Sequence, residues 1–152
     1  MEEQEIYKSN AGLEMIIMVG LPASGKTTWA KDFCNKNDGY VRINRDDIRS
    51  MLGIEYSKRN ERLVRDIEIS NIITSLKSGY SVVVDDTNLN EYTVNQLKVA
   101  YFENVLNPQK PKIKFIECPV DECIERDSKR ENPVGYSVIL EMNMKLKKTC
   151  KK

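Results

Sequence analysis

Residues 20–27 read Gly20-Leu21-Pro22-Ala23-Ser24-Gly25-Lys26-Thr27, the pattern G-x-x-x-x-G-K-[ST] of a phosphate-binding loop. The spacing has a mechanical basis. Gly20 ends a strand, and Gly25, lacking a Cβ, lets the backbone curl so that successive N–H groups point at phosphate oxygens. Lys26 reaches the β and γ phosphates in such a loop, and the Thr27 hydroxyl is placed to ligate Mg²⁺. The helix that follows adds its N-terminal dipole to the attraction for an anion. The context fits. Met15-Ile16-Ile17-Met18-Val19 is an unbroken apolar run, as a buried parallel strand requires, and Trp29, Ala30 and Phe33 lie at helical spacing beyond the lysine.

The remainder of the chain bounds the reading. Its 152 residues make one domain, 40 % hydrophobic and 31 % charged, with a net charge of +1. No apolar run approaches the ~20 residues of a membrane span. The polar, acid-leaning first fourteen residues do not read as a signal peptide, so the expected location is the cytoplasm, a host's if the protein is viral. Cys34, Cys118, Cys123 and Cys150 form no CxxC pair, and there is no histidine. Zinc-finger and redox motifs are therefore disfavoured, and the thiols read as idle. Without histidine, any general base must be a carboxylate, lysine, tyrosine or thiolate. A balanced net charge offers no global field for nucleic acid, so such a partner would need a local groove.

Residues 1–13 read as an arm, in which Glu5-Ile6-Tyr7 could add an edge strand, and residues 14–152 as the domain. Strands are predicted at 15–19, 40–44, 81–85 and 112–116. Helices are predicted from the loop to about Asn35, over a short stretch from Arg45 closed by Gly53, from an Asn60 N-cap to before Gly79, over about 91–105 after an Asn90 cap, over about 121–129, and over about 137–147. In the long helix Leu63, Val64, Ile67, Ile72, Ile73 and Leu76 form a core-facing stripe, while Arg59, Arg62 and Arg65 lie on the other face, which reads as a solvated face ahead of a nucleic acid patch. Strands alternating with helices give an α/β class, a central parallel sheet of about four strands with helices on both faces.

Ligands of such sheets bind beyond the carboxyl ends of the strands, and polar clusters fall there. In Asn44-Arg45-Asp46-Asp47-Ile48-Arg49 an aspartate could accept a substrate proton and an arginine bind an anion; the same residues equally suit a capped, solvated first turn. Asp85-Asp86-Thr87-Asn88 places carboxylates at the end of an apolar strand, where an aspartate holds Mg²⁺ directly or through water. Arg126-Asp127-Ser128-Lys129-Arg130 leads into the Pro/Gly-punctuated 131–135 loop. That reads either as a small arginine-bearing lid over phosphates or as a solvated basic helix end.

In this order and at these separations, GLPASGKTTWAKDF, INRDDIR, VVDDTNLN and ERDSKR resemble the 5′-polynucleotide kinase domain of bacteriophages, nucleic acid repair enzymes of the P-loop kinase fold. The resemblance runs from about residue 14 to 147 and is most specific in NRDD-x-x-R and DTNLN. It implies ATP and Mg²⁺ as cofactors and 5′-OH ends of DNA or RNA as the acceptor. Gly20, Pro22, Ala23, Ser24, Gly25, Lys26, Thr27 and Thr28, with Arg126 and Arg130, would hold the donor nucleotide, and Thr27 and Asp86 the metal. Asp46 would be the general base, Arg49 would bind the acceptor near its 3′-side phosphate, and Asp86 and Asn88 would line the acceptor site. Lys26, Asp46, Asp86 and Arg130 would carry the catalysis. Asp85 stands where a serine is expected. No DxDGT-type phosphatase motif is present, so a kinase without 3′-phosphatase activity is expected. A kinase of a small molecule, nucleotide or sugar nucleotide, and a non-catalytic nucleotide-dependent switch, are the alternatives. DNA against RNA, and monomer against homo-oligomer, are left open by the residues.

Overall fold

The computed structural model describes residues 11–150. The suggested strand at Glu5–Tyr7 lies outside them. The predicted alternation is present as β1 (Met15–Val19), α1 (Lys26–Lys36), β2 (Tyr40–Ile43), α2 (Arg45–Leu52), α3 (Lys58–Lys77), β3 (Ser81–Val84), α4 (Glu91–Asn104), β4 (Lys112–Phe115), α5 (Val120–Ser128) and α6 (Tyr136–Cys150). The four strands form a parallel sheet in the order β2-β3-β1-β4.

The apolar run of β1 is explained by burial on both sides. Met15 and Ile17 face one core with Ile72 and Leu76 of α3 and Leu97 and Tyr101 of α4. Ile16 and Met18 face the opposite core with Ala30, Trp29 and Phe33 of α1. Alternate residues of one strand thus serve two helical layers. A third, smaller cluster of Leu21, Cys123 and Ile139 fastens α5 and α6 beside the loop that follows β1. Leu13 packs on the first core and its carbonyl accepts a hydrogen bond from the Tyr101 hydroxyl at 2.7 Å, so the end of the predicted arm is tied to the body.

Two differences from the sequence reading matter for the site. The N-cap of α3 is Ser57, whose hydroxyl oxygen accepts from the Asn60 N–H at 3.1 Å, while the Asn60 amide donates to the Glu55 carbonyl. Serine and asparagine are both good caps, and the chain uses the earlier one. The inner row of α3 also differs. Its buried residues are Val64, Glu68, Ile72 and Leu76, strictly four apart, whereas Leu63 is exposed. A row at i, i+4, i+8 and i+12 stays on one helix face, and this row carries a carboxyl group into the core.

β1, β2 and β3 end at one edge, and loops there are stitched together. The Asp85 N–H donates to the Ile43 carbonyl at 2.9 Å, and the Asn44 amide donates to the Asp85 carbonyl. β2 and β4 lie on opposite sides of β1, so the phosphate loop leaves the sheet beside the point where the winding reverses, the position at which open α/β sheets bind ligands.

Candidate active site

The loop between β1 and α1 has the conformation its glycines anticipate. Gly25 sits at φ 103° and Ala23 at φ 61°, left-handed values that Gly adopts freely and Ala does not. A Cβ on Gly20 would lie 3.1 Å from both the Ile116 carbonyl oxygen and the Ser24 hydroxyl, so any side chain there would crowd the cradle. Helix α1 begins at Gly25 without a side-chain cap and without an acidic residue in its first turn. Its leading N–H groups and positive dipole end are left for an external anion.

Lys26 is buried and folds back on the loop, its Nζ donating to the carbonyls of Gly20, at 3.0 Å, and of Leu21. Burial pulls the ammonium down to about 8, against the opposing pull of Asp85, Asp86, Cys123 and Asp46. The negative charge of the three aspartates singled out by sequence thus favours the charged lysine. Their own partners differ.

Asp85 is fully buried and accepts from the Thr27 hydroxyl at 2.8 Å and from Arg42 Nε at 2.7 Å through one oxygen, Oδ2. Its Oδ1 has no protein partner. Burial pulls the Arg42 guanidinium down, but the bonds to Asp85 and Asp47 outweigh it and hold Arg42 above its ordinary value. The loop hydroxyl thus faces Asp85 and not Asp86. Asp85, where the resembling family has serine, is thus the partner of the loop hydroxyl, and Arg42, an ordinary strand residue by pattern, gives no sequence signal of the partnership.

Asp86 turns the other way. Its Oδ1 accepts from the Arg45 N–H at 2.9 Å, and its Oδ2 lies 3.3 Å from Arg45 Nε. Behind it is Glu68, 1 % exposed, with one oxygen 3.6 Å from the same Arg45 nitrogen. Burial, then a hydrogen bond and the like charge of Asp86, push the Glu68 carboxyl up to about 10. One guanidinium serves two carboxyls, and they cannot both ionise at low cost. The physical reading is a protonated Glu68 supporting the Asp86 carboxylate. This predicts a pH-dependent stability. Below the ordinary carboxylate value of 4.5 Glu68 is protonated folded and unfolded, and its contribution is whole. As pH rises towards about 10 the unfolded chain releases the proton and the folded chain keeps it, so stability is progressively lost. Glu68→Gln removes that loss. Its melting temperature relative to the parent should rise between pH 5 and pH 9; a constant difference would mean that Glu68 is ionised in the folded state.

Asp46, on the first turn of α2, has a side chain 72 % exposed and accepts from Arg49 Nη1. Arg49 Nε and Nη2 both donate to Glu61 of α3, and these bonds, against its burial, hold its guanidinium above the ordinary value. The two readings of this turn prove compatible. Asn44 caps α2, accepting from the Asp47 N–H at 2.9 Å, and the capped turn presents Asp46 outward beside an arginine fixed from behind. Glu61, the residue that fixes it, was not anticipated.

Asn88 is buried, at φ 49°. Its amide donates to the Met18 carbonyl at 2.7 Å and more weakly to those of Val84 and Asp86. It pins the loop after β3 to β1, and its Oδ1 has no partner. In the 131–135 region Asp127 is buried and accepts from the N–H groups of Val134 and Gly135, each at 3.0 Å, which shapes the loop. Of the two arginines, Arg126 reaches the phosphate loop, donating to the Ala23 carbonyl at 3.5 Å while paired with Glu122. Arg130 lies 3.5 Å from Asp127 and is 42 % exposed.

Oxygen donors converge at Thr27 and Asp85, while among the described residues no cluster of three or more acidic or thiol ligands could hold a metal. That set suits Mg²⁺, which takes one or two carboxylates and completes its shell with water and phosphate, better than a metal needing an all-protein cage. The Cys34, Cys118 and Cys123 thiols are free. No helix among the described residues is long and apolar enough to cross a membrane.

A parallel four-stranded sheet, a glycine-shaped anion loop with its lysine, and a carboxylate beside the loop hydroxyl define a P-loop kinase domain. The chain belongs to the AAA_33 family, described as an AAA domain, whose model matches residues 15–149. It is 29 % identical over 135 residues to a bifunctional polynucleotide kinase/RNA ligase of Autographa californica nuclear polyhedrosis virus, a match covering 78 % of this chain and 18 % of that protein. An L-seryl-tRNA(Sec) kinase of Methanococcus maripaludis is 27 % identical over 132 residues, 84 % of this chain and 50 % of that one. Among solved structures, a chain of the Pnkp1/Rnl/Hen1 RNA repair complex is 29 % identical with a TM-score of 0.76, covering 91 % of this chain and 45 % of that chain. The chain thus spans half or less of the length of these relatives. They support a nucleotide-binding domain of the polynucleotide kinase type with phosphotransferase activity.

Proposed function

We propose that the chain transfers the γ-phosphate of ATP to the 5′-hydroxyl of a DNA or RNA end. The observation that carries the reading is the exposed Asp46 carboxylate, presented by the capped first turn of α2 and bonded to Arg49, at the sheet edge that also carries the phosphate loop. In this reading the loop after β1 holds the donor and the turn after β2 supplies the acceptor base, both at the same end of the parallel sheet. The donor phosphates lie on the N–H groups of the loop and the start of α1, with Lys26 drawn off the Gly20 and Leu21 carbonyls onto them. Thr27 and Asp85 would hold Mg²⁺, which when bound would supply charge neutralisation at the donor phosphates. Asp46 orients the acceptor hydroxyl for in-line attack and takes its proton as the new P–O bond forms. Arg126, already on the loop backbone, and Arg130 on the lid offset the charge that spreads over the phosphoryl oxygens. Asp86 and Asn88 shape the wall between donor and acceptor, Asp86 through Arg45 and Asn88 through the β1 carbonyl it holds.

The test is transfer from γ-labelled ATP to 5′-OH oligonucleotides of DNA and of RNA, beside nucleosides, sugars and an aminoacylated tRNA. Labelled oligonucleotide 5′ ends are the expected result. Labelling of a small hydroxyl compound or of the aminoacyl group alone would replace the acceptor assigned here, and nucleotide binding without any transfer would make the domain a switch. With few phosphates contacted, affinity for a single strand should also fall shallowly with salt, the logarithmic slope being about −0.7 per phosphate.

A further inference from the structure

A cavity of about 790 Å³ opens between the loop that enters α3 and the first turn of α4, with Arg45 of α2 and Glu61, the partner of Arg49, in its wall. That lies in the upper part of the ~300–1,000 Å³ range of ligand pockets, although donor chemistry at the P-loop does not use it. Two tyrosines line it and are unusually bare for their size, Tyr56 at 77 % and Tyr92 at 65 % exposure. Tyr56 stands next to the site already described, since the Arg49 guanidinium lies over its ring at 5.8 Å from the centroid. Tyr92 is held from the side by the Gln96 amide, which donates to its hydroxyl at 3.1 Å, and its ring is left open. Lys58 and Arg65 line the same cavity and form no ion pair among the described residues. The acidic Glu61 in the wall is already neutralised by Arg49, which leaves Glu91 at the rim as the opposing charge.

Exposed aromatic rings beside unpaired cations in a groove form a recognisable chemistry. Bases stack on the rings whatever their sequence, and the cations follow the phosphates between them. A folded protein otherwise gains little from two bare tyrosines facing one cleft, because burying an aromatic ring is strongly favourable. Arg49 joins the two places, bonded to Asp46 on one side and to Glu61 of the cavity wall on the other, with its guanidinium over the Tyr56 ring.

Building on the 5′-kinase reading, we propose that this cavity is a strand-binding subsite in which Tyr56 and Tyr92 stack the second and third nucleotides of a single-stranded 5′-OH acceptor while Lys58 and Arg65 pair with the phosphates between them. The terminal nucleoside alone fills the site at Asp46. A strand of three nucleotides fills both. Selection is then for an unpaired 5′ end, because bases held in a duplex cannot splay onto the two rings.

Steady-state transfer to a nucleoside 3′-monophosphate, a dinucleotide and a trinucleotide, each with a 5′-OH, tests this with wild type, Tyr56→Ala, Tyr92→Ala, Arg65→Gln and, as a control, Tyr80→Ala. Tyr80 is exposed but does not line the cavity. The expected result is a KM about tenfold lower for the trinucleotide than for the monophosphate. Tyr56→Ala and Tyr92→Ala should each remove most of that gain while kcat on the trinucleotide changes less than about twofold, and Tyr80→Ala should leave it intact. Both tyrosines are on the surface, so the variants should melt with the parent. Equal KM for all three acceptors, or a length effect indifferent to both tyrosines, overturns the subsite and leaves the 5′-kinase reading standing. Failure to label any oligonucleotide overturns that reading and the subsite with it.

Discussion

Lys26→Ala is expected to abolish phosphoryl transfer, by about 10³-fold or more, since removing even one neutral donor to a developing anion costs 10²–10³ and Lys26 carries a full charge. The variant should still fold. Its ammonium is buried against loop carbonyls and pulled down to about 8, so its removal relieves desolvation as well as breaking hydrogen bonds. The depressed value gives a second, independent readout. Above pH 8 the lysine of the empty loop is largely neutral, and arrival of the nucleotide phosphates restores its charge, so binding must take up a proton. Calorimetry at pH 8.5 in buffers of different ionisation enthalpy should show that uptake in the wild type and not in Lys26→Ala. The affinity of the wild type for ATP should weaken as pH rises through 8. Turnover retained by the variant would refute the role of the loop lysine, and binding without proton uptake would refute its environment.

Asp46→Ala is expected to lose transfer by about 10²- to 10⁴-fold, the ordinary contribution of a general base, with ATP affinity kept within a few-fold. The separation follows from position. Asp46 is mostly exposed and, among the described residues, bonded only to Arg49, so its removal strips neither the loop nor Asp85 of a partner. Asp46→Asn should behave alike, because the amide preserves the bond from Arg49 but accepts no proton. Equal loss of turnover and ATP binding would place Asp46 on the donor side. Asp85 offers the contrast. It is buried with Arg42 and Thr27, and truncating one member of a buried ion pair costs ~3–5 kcal/mol, so activity lost there would confound folding with chemistry.

How much of this was legible in the chain can be followed residue by residue. Patterns of period two and 3.6, with glycine and asparagine punctuation, located every strand and helix to within a few residues, because element type is a local matter of sterics and of which face is apolar. The phosphate loop was equally plain, since its glycines serve backbone conformation and that requirement is written at fixed spacing. Caps were less secure. Ser57 and Asn60 are both competent, and only the path of the 53–57 loop chose between them.

Partnerships between distant residues were not legible. Nothing local marks Glu68 as the neighbour of Asp86 and Arg45, and only the sheet order sets Arg42 of β2 and Thr27 of α1 on one oxygen of the Asp85 carboxylate. Such pairings span 23 to 58 positions in sequence, and nothing in local propensity registers them. Sequence alone determined a glycine-shaped phosphate loop inside a parallel α/β sheet and that, without histidine, any base must be a carboxylate, lysine, tyrosine or thiolate. Only the tertiary structure decided which carboxylate faces which partner, because the cost of burying a charge is met by groups that the fold, and not the chain order, brings within reach.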